Sequence, residues 1–142
     1  MNALWVLDTS VAAGWFFSDE LSHEDALSVR AHVAMAPERY VVPSLFHSEL
    51  VHILARRSGR DARFVAQALQ LVMRLGIRTL PLSKAAFLRT VCWTCERSLS
   101  GYDATYVALA EDLQGRWLTA DVKAAKIAGS LLAATTREWK AD

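Results

Sequence analysis

The stretch from Gly101 to Asp121, GYDATYVALAEDLQGRWLTAD, decides how this chain folds. Tyr102, Tyr106, Leu109 and Leu113 recur at helical spacing and predict a helix with one apolar face. Ser100 and Gly101 precede that helix, and Gly115 follows it as a C′ residue. Asp103 therefore falls in the first helical turn. Arg116 to Thr119 is short and mostly apolar, as a strand covered on both faces is. Asp121 stands just past its end. In a parallel α/β sheet that position is the carboxyl edge, where such folds place their ligands.

Working outward, Leu4-Trp5-Val6-Leu7-Asp8 is a second apolar run that ends in an acid, with Thr9 and Ser10 next as cap residues. Parallel strands joined by helical crossovers bring Asp8 and Asp121 to the same edge. With Asp103 at a helix start, three carboxylates gather there. Like charges at close range raise each other's pKa unless a cation neutralises them. Each Asp taken alone also reads as a helix cap. Three acids with the same placement weigh against caps alone.

The remaining segments alternate. After a strand over Leu4 to Leu7, Ser10 to Phe17 reads as a short helix despite Gly14. Its Trp15, Phe16 and Phe17 form an apolar cluster suited to the core or to a partner-binding groove. A second helix, capped by Ser22, runs to Met35; Tyr40 to Val42 is a strand stopped by Pro43. The third helix spans Ser44 to Ser58, with Phe46, Leu50, Ile53 and Leu54 apolar and Glu49 on its second turn. Alone, Glu49 reads as a solvated helix acid. Arg56, Arg57, Arg60 and Arg63 surround the turn that follows, either as a solvated tip or as a phosphate-facing patch. Asp61 caps a fourth helix ending at Gly76. Ile77 to Leu82 reads as an edge strand, because Pro81 removes a ladder donor. A fifth helix runs from Ser83 to Arg97, and a last one from Val122 to Ala128. Leu131 to Ala134 is a weak fifth strand, and the tail from Thr135 to Asp142 is polar except for Trp139. This order predicts an α/β fold: a three-layer α/β/α sandwich around a mostly parallel, roughly five-stranded sheet in a single domain, residues 1–142.

Composition bounds the function. In 142 residues, 53% are hydrophobic and 22% charged, values of a globular domain rather than a disordered one. No apolar run reaches the length of a membrane span. The opening MNALWVLD has neither a basic segment nor a cleavage site, so a cytoplasmic protein without a secretory signal is the expectation. The formal charge of +1 argues against coating nucleic acid by bulk charge and leaves a local basic face open. Cys92 and Cys95, in CWTC, read as two reduced, partly buried thiols. His23, His32, His47 and His52 form no zinc pattern and are expected at the surface or facing a partner.

LDTS at 7–10, VPSLFHSEL at 42–50, SGYDATYVALAEDL at 100–113 and LTAD at 118–121 together resemble the PIN-domain nucleases. The likeness is strongest to the VapC toxin ribonucleases of VapBC toxin–antitoxin pairs, and it spans the whole chain. Each motif is weak alone; four acids in order, each in the expected element, are specific. The resemblance implies Asp8, Glu49, Asp103 and Asp121 as metal-site acids, with Ser10 and Thr119 as supporting hydroxyls. It also implies strand order 3-2-1-4-5, a homodimer and a cognate antitoxin. Some relatives carry another acid soon after the last aspartate, whereas Val122, Lys123 and Ala124 follow here.

Hard oxygen ligands without paired soft ones point to Mg²⁺ or Mn²⁺ rather than zinc. The ion would polarise a scissile phosphate and activate a bound water. Asp8 and Asp103 are then direct ligands, Asp121 completes the site directly or through water, and Glu49 binds a second ion or orients the nucleophile. Single-stranded or looped RNA is the expected substrate, with Arg56, Arg57, Arg60, Lys123 and Lys126 as phosphate contacts. Three other readings stand beside this one. A phosphatase with an aspartyl nucleophile wants a second Asp two residues after Asp8, where Ser10 stands. A non-catalytic dimerisation or RNA-binding module needs none of the four acids. A housekeeping nuclease without an antitoxin needs all of them.

Overall fold

The computed structural model describes residues 3–141. Met1, Asn2 and Asp142, the ends of the segments read above for a leader and a polar tail, lie outside the described residues. Five strands form one sheet: β1 (Trp5–Leu7), β2 (Tyr40–Val42), β3 (Arg78–Thr79), β4 (Arg116–Thr119) and β5 (Ala133–Thr135). Their order is β3-β2-β1-β4-β5 and every pairing is parallel. The implied order 3-2-1-4-5 is therefore the observed one. Every residue of β1, β2 and β5 is buried. Successive strand residues face opposite sides, so helices must cover both faces.

The helices are α1 (Thr9–Gly14), α2 (His23–Met35), α3 (Leu45–Arg57), α4 (Ala62–Arg74), α5 (Lys84–Cys95), α6 (Gly101–Leu113) and α7 (Val122–Ala128). Polar residues start most of them: Asp8, Asp61, Ser83, Ser100 and Asp121 each accept a backbone N–H of the first turn. Helix α6 differs from its predicted single apolar face. Ala104 through Ala110 are all buried, while Tyr102 is exposed. The reason is its position against β1 and β4 on one side and α5 on another, which leaves only its ends to solvent.

Several boundaries shift. The first helix is shorter than Ser10 to Phe17 and ends at Gly14, with Trp15 at its C-cap. Trp15 is buried and donates its indole N–H to the Ala26 carbonyl at 2.8 Å; Phe16 and Phe17 rest on Phe64. The edge strand contracts from Ile77–Leu82 to two exposed residues, consistent with Pro81 ending the ladder. The fifth strand moves to Ala133–Thr135. At the end of α6 the left-handed residue is Gln114, with φ 53°, and not Gly115. Gly115 is needed for a different reason: a Cβ there would lie 2.4 Å from the Leu4 carbonyl oxygen. Cys92 and Cys95 are exposed rather than partly buried, on the last turn of α5. His23 and His32 are half-buried tethers, His23 to the Gly14 carbonyl and His32 to the Tyr40 hydroxyl, rather than surface groups.

Candidate active site

Neighbouring strands carry the centre of the site. Leu7 of β1 pairs with Leu118 of β4, and the Asp8 N–H donates to the Leu118 carbonyl at 2.9 Å. Asp8 thus extends the ladder by one residue before the chain turns into α1. This is the switch point of the sheet: β2 and β3 lie on one side of β1, β4 and β5 on the other. In open α/β sheets a switch point of this kind, at the carboxyl ends of the strands, is where ligands bind.

Asp8 is buried yet fully supplied with donors. Its Oδ2 accepts the Ser10 N–H at 3.1 Å, the Ser10 hydroxyl at short range and the Thr119 hydroxyl at 3.2 Å; its Oδ1 accepts the Trp117 indole N–H at 3.2 Å. Each hydroxyl also accepts from the backbone: Ser10 from the Ala120 N–H at 3.0 Å, Thr119 from the Asp121 N–H at 3.1 Å. Ser10 and Thr119 therefore pin the ends of β1 and β4 together across Asp8. Burial still raises the Asp8 pKa above the usual carboxylate value, opposed by the Ser10 hydrogen bonds and reinforced by the Glu49 charge.

The other acids arrive on separate elements. Asp103 stands in the first turn of α6, where Ser100 caps its N–H at 3.0 Å. Its carboxyl is pushed up to about 6, first by burial and then by the charges of Asp8, Asp121 and Glu49. Asp121 caps α7 through the Ala124 N–H at 3.0 Å, so its cap reading is correct alongside any other role. Glu49, on α3, accepts the Tyr106 hydroxyl at 2.7 Å and the Thr9 hydroxyl at 3.0 Å on the same oxygen, Oε1. Its reading as a merely solvated helix acid fails, because two side chains from other elements hold it.

These groups bear on whether a cation fits. Asp8 and Asp103 are both pushed upward, first by burial and then by neighbouring acid charges, the condition a hard cation relieves. Among the described residues, no three His, Cys, Asp or Glu groups form a ready-made cage.

The basic residues separate into three groups. Arg57 is committed elsewhere: it pairs with Asp19 at 3.0 Å and with Glu20, and its guanidinium lies over the Phe17 ring at 4.4 Å. Arg56 is exposed near the far end of α3, roughly 10 Å along the axis from Glu49 at 1.5 Å per residue, and Arg60 is exposed in the turn beyond the helix. Lys123 and Lys126 ride on α7 behind Asp121. Lys126 also lines a cleft of about 990 Å³ beside α7 and β5, together with Glu20, Ala120, Val122 and Arg137; none of the four acids lines it.

Sequence reasoning missed Thr9, Tyr106 and Trp117. Thr9 reads as a cap residue, and Tyr106 and Trp117 read as core. The signal was the choice of Tyr and Trp where Phe would fill the same space, since a buried O–H or N–H needs an acceptor.

An all-parallel sheet whose switch-point edge collects acids from four elements defines an α/β protein of the acidic-cleft class. The chain belongs to the PIN-domain family, whose pattern it matches over residues 5–130. Over 97 residues it is 39% identical to ribonuclease VapC9 of Mycobacterium tuberculosis, covering 66% of this chain and 74% of that one. PAE2754 from Pyrobaculum aerophilum superposes with a TM-score of 0.72 at 17% identity, over 96% of this chain and 92% of that one. VapC20 of Mycobacterium tuberculosis, a toxin that cleaves the sarcin–ricin loop, superposes with a TM-score of 0.63 at 20% identity, over 79% and 85%. At those identities the two structures bear on the fold alone.

Proposed function

We propose that this chain is a metal-dependent endoribonuclease, the toxin of a type II toxin–antitoxin pair, which hydrolyses RNA phosphodiester bonds. The observation that carries the reading is the placement of Asp8 just past β1, Asp121 just past the neighbouring β4 and Asp103 in the first turn of α6, with the charges of Asp8, Asp121 and Glu49 all acting on Asp103. The kinship with VapC ribonucleases supports the RNA substrate and the cognate antitoxin. Asp8 and Asp103 would hold a Mg²⁺ or Mn²⁺ ion, Asp121 would complete the set directly or through water, and Glu49 would hold a second ion or orient the attacking water. The ion, when bound, supplies Lewis-acid polarisation of the phosphate and a more acidic water.

The chain's own groups do the rest. Ser10 and Thr119 hold Asp8 Oδ2 through their hydroxyls. Of the candidate phosphate contacts, Lys123, Lys126, Arg56 and Arg60 make no ion pair among the described residues, whereas Arg57 would first have to leave Asp19 and Glu20. For the antitoxin, an apolar channel of about 300 Å³ between α2 and α4, lined by Trp15, Phe16, Leu27 and Leu71, suits a docking segment. A homodimer in the cytoplasm completes the proposal. No helix among the described residues is long and apolar enough to cross a membrane.

The test is cleavage of a fluorogenic single-stranded RNA with Mg²⁺ or Mn²⁺ and with chelator. Cleavage by the wild type, lost with chelator and in Asp103→Asn, is the expected result. Equal cleavage by Asp103→Asn would overturn the assignment.

A further inference from the structure

Glu49 Oε1 sits in a three-way contact. The Tyr106 hydroxyl is 2.7 Å away, the Thr9 hydroxyl 3.0 Å away, and the two hydroxyls are 2.6 Å from each other. Two O–H protons can make two of these three contacts at once: if one hydroxyl donates to the other, the accepting hydroxyl's own proton is the one that serves the carboxylate. Both hydroxyls are buried and come from elements other than α3: Thr9 from the start of α1, Tyr106 from the middle of α6. The second oxygen, Oε2, receives no hydrogen bond from the described residues. The Tyr106 ring also stacks on Trp117 at 6.3 Å, and Trp117 is the indole that donates to Asp8. One aromatic pair therefore stands behind both Glu49 and Asp8.

We propose that Thr9 and Tyr106 are positioning residues for Glu49, holding Oε1 within the protein so that Oε2 alone is offered to the ion or the water. The inference rests on the nuclease reading. Hydrogen-bonding an oxygen fixes the plane of a carboxylate whose terminal torsion is otherwise broad. Groups that orient metal-site ligands typically matter by 10–100-fold when removed. A purely structural role predicts something different: lost hydroxyls would lower stability and leave the chemistry of the folded protein alone.

Tyr106→Phe and Thr9→Val remove the hydroxyls and keep the shape, while Thr9→Ser keeps the hydroxyl. Three measurements separate the roles: the metal-free melt, the affinity for Mn²⁺ alone by calorimetry, and single-turnover RNA cleavage. Expected are folded Tyr106→Phe and Thr9→Val proteins with Mn²⁺ affinity weakened ~10-fold and cleavage slowed ~10–100-fold, and near wild-type behaviour for Thr9→Ser. In a Glu49→Ala background the same substitutions should cost nothing further, since their effect passes through Glu49. If Tyr106→Phe does not fold, Thr9→Val decides by the same readings. Wild-type affinity and rate in the folded variant would overturn the proposal. So would a loss that persists in full beside Glu49→Ala, or wild-type cleavage by Glu49→Ala itself. Asp103→Asn in the same series keeps the two claims apart. If it cleaves normally the nuclease reading falls, whereas a dead Asp103→Asn with an unimpaired Tyr106→Phe removes only the positioning role.

Discussion

Trp117 donates its indole N–H to Asp8 Oδ1 at 3.2 Å, a buried contact between two adjacent parallel strands. Its partner oxygen, Oδ2, faces three further donors. Asp8→Asn can therefore satisfy one side only. With its oxygen toward Ser10 and Thr119, its NH₂ meets the Trp117 N–H. The expected outcome is a folded protein, destabilised by about 1–3 kcal/mol for the orphaned donor and offset by removal of a buried charge. Cleavage should fall at least ~100-fold, because a site for a cation depends on the carboxylate charge. Thermal melts beside the RNA assay check this; near wild-type cleavage would show that Asp8 is only a helix cap.

Asp103 carries a pH prediction. Its carboxyl titrates near 6 when folded against 3.8 ordinarily, so the folded chain holds the proton more tightly than the unfolded one. Below about pH 4 that advantage is complete, and it is lost as pH rises toward 6 and beyond. Metal-free wild type should therefore lose stability between pH 4 and 7 more steeply than Asp103→Asn. Melts at four pH values compare the slopes, and equal slopes would refute the raised carboxyl.

Millimolar Mg²⁺ or Mn²⁺ should raise the melting temperature at neutral pH. An ion that binds only the folded site stabilises by about 2.7 kcal/mol at 100 times its dissociation constant. Asp103→Asn should respond much less. An identical response in the two proteins would place the ion elsewhere.

Gly115→Ala probes the fold apart from the site. Its new Cβ would meet the Leu4 carbonyl oxygen at 2.4 Å, at the point where the Arg116 N–H pairs with that same carbonyl at 3.0 Å. Separating β1 from β4 there is expected to cost about 1–3 kcal/mol. Chemical denaturation measures it, and an unchanged midpoint would contradict the close approach.

Phe16→Ala should weaken antitoxin binding while leaving cleavage by the free protein intact. Phe16 is half-buried and lines the channel between α2 and α4, away from the four acids. Calorimetric titration with the antitoxin segment reads the effect; unchanged affinity would move the docking surface elsewhere.

By itself the sequence determined the alternation of strands and helices, the caps that start the helices, and the acids at the ends of apolar runs. These are local properties, set by periodicity and by backbone donors that need partners within a few residues. The order β3-β2-β1-β4-β5, and Glu49 as a companion to the three aspartates, were legible only through family resemblance, since no spacing states which strands pair. Only the tertiary structure decided what depends on distant segments meeting. It tied Arg57 to Asp19 and Glu20 rather than leaving it to RNA, and buried α6 nearly all round so that Tyr102 fell outside the core. It made Gly115 a matter of close approach to Leu4 rather than of helix capping. It also brought Thr9, Glu49 and Tyr106, separated by 40 and 57 residues, onto one carboxylate oxygen. Hydrogen bonds act over about 3 Å, so such a contact exists only once the sheet and its crossovers have placed α1, α3 and α6 side by side.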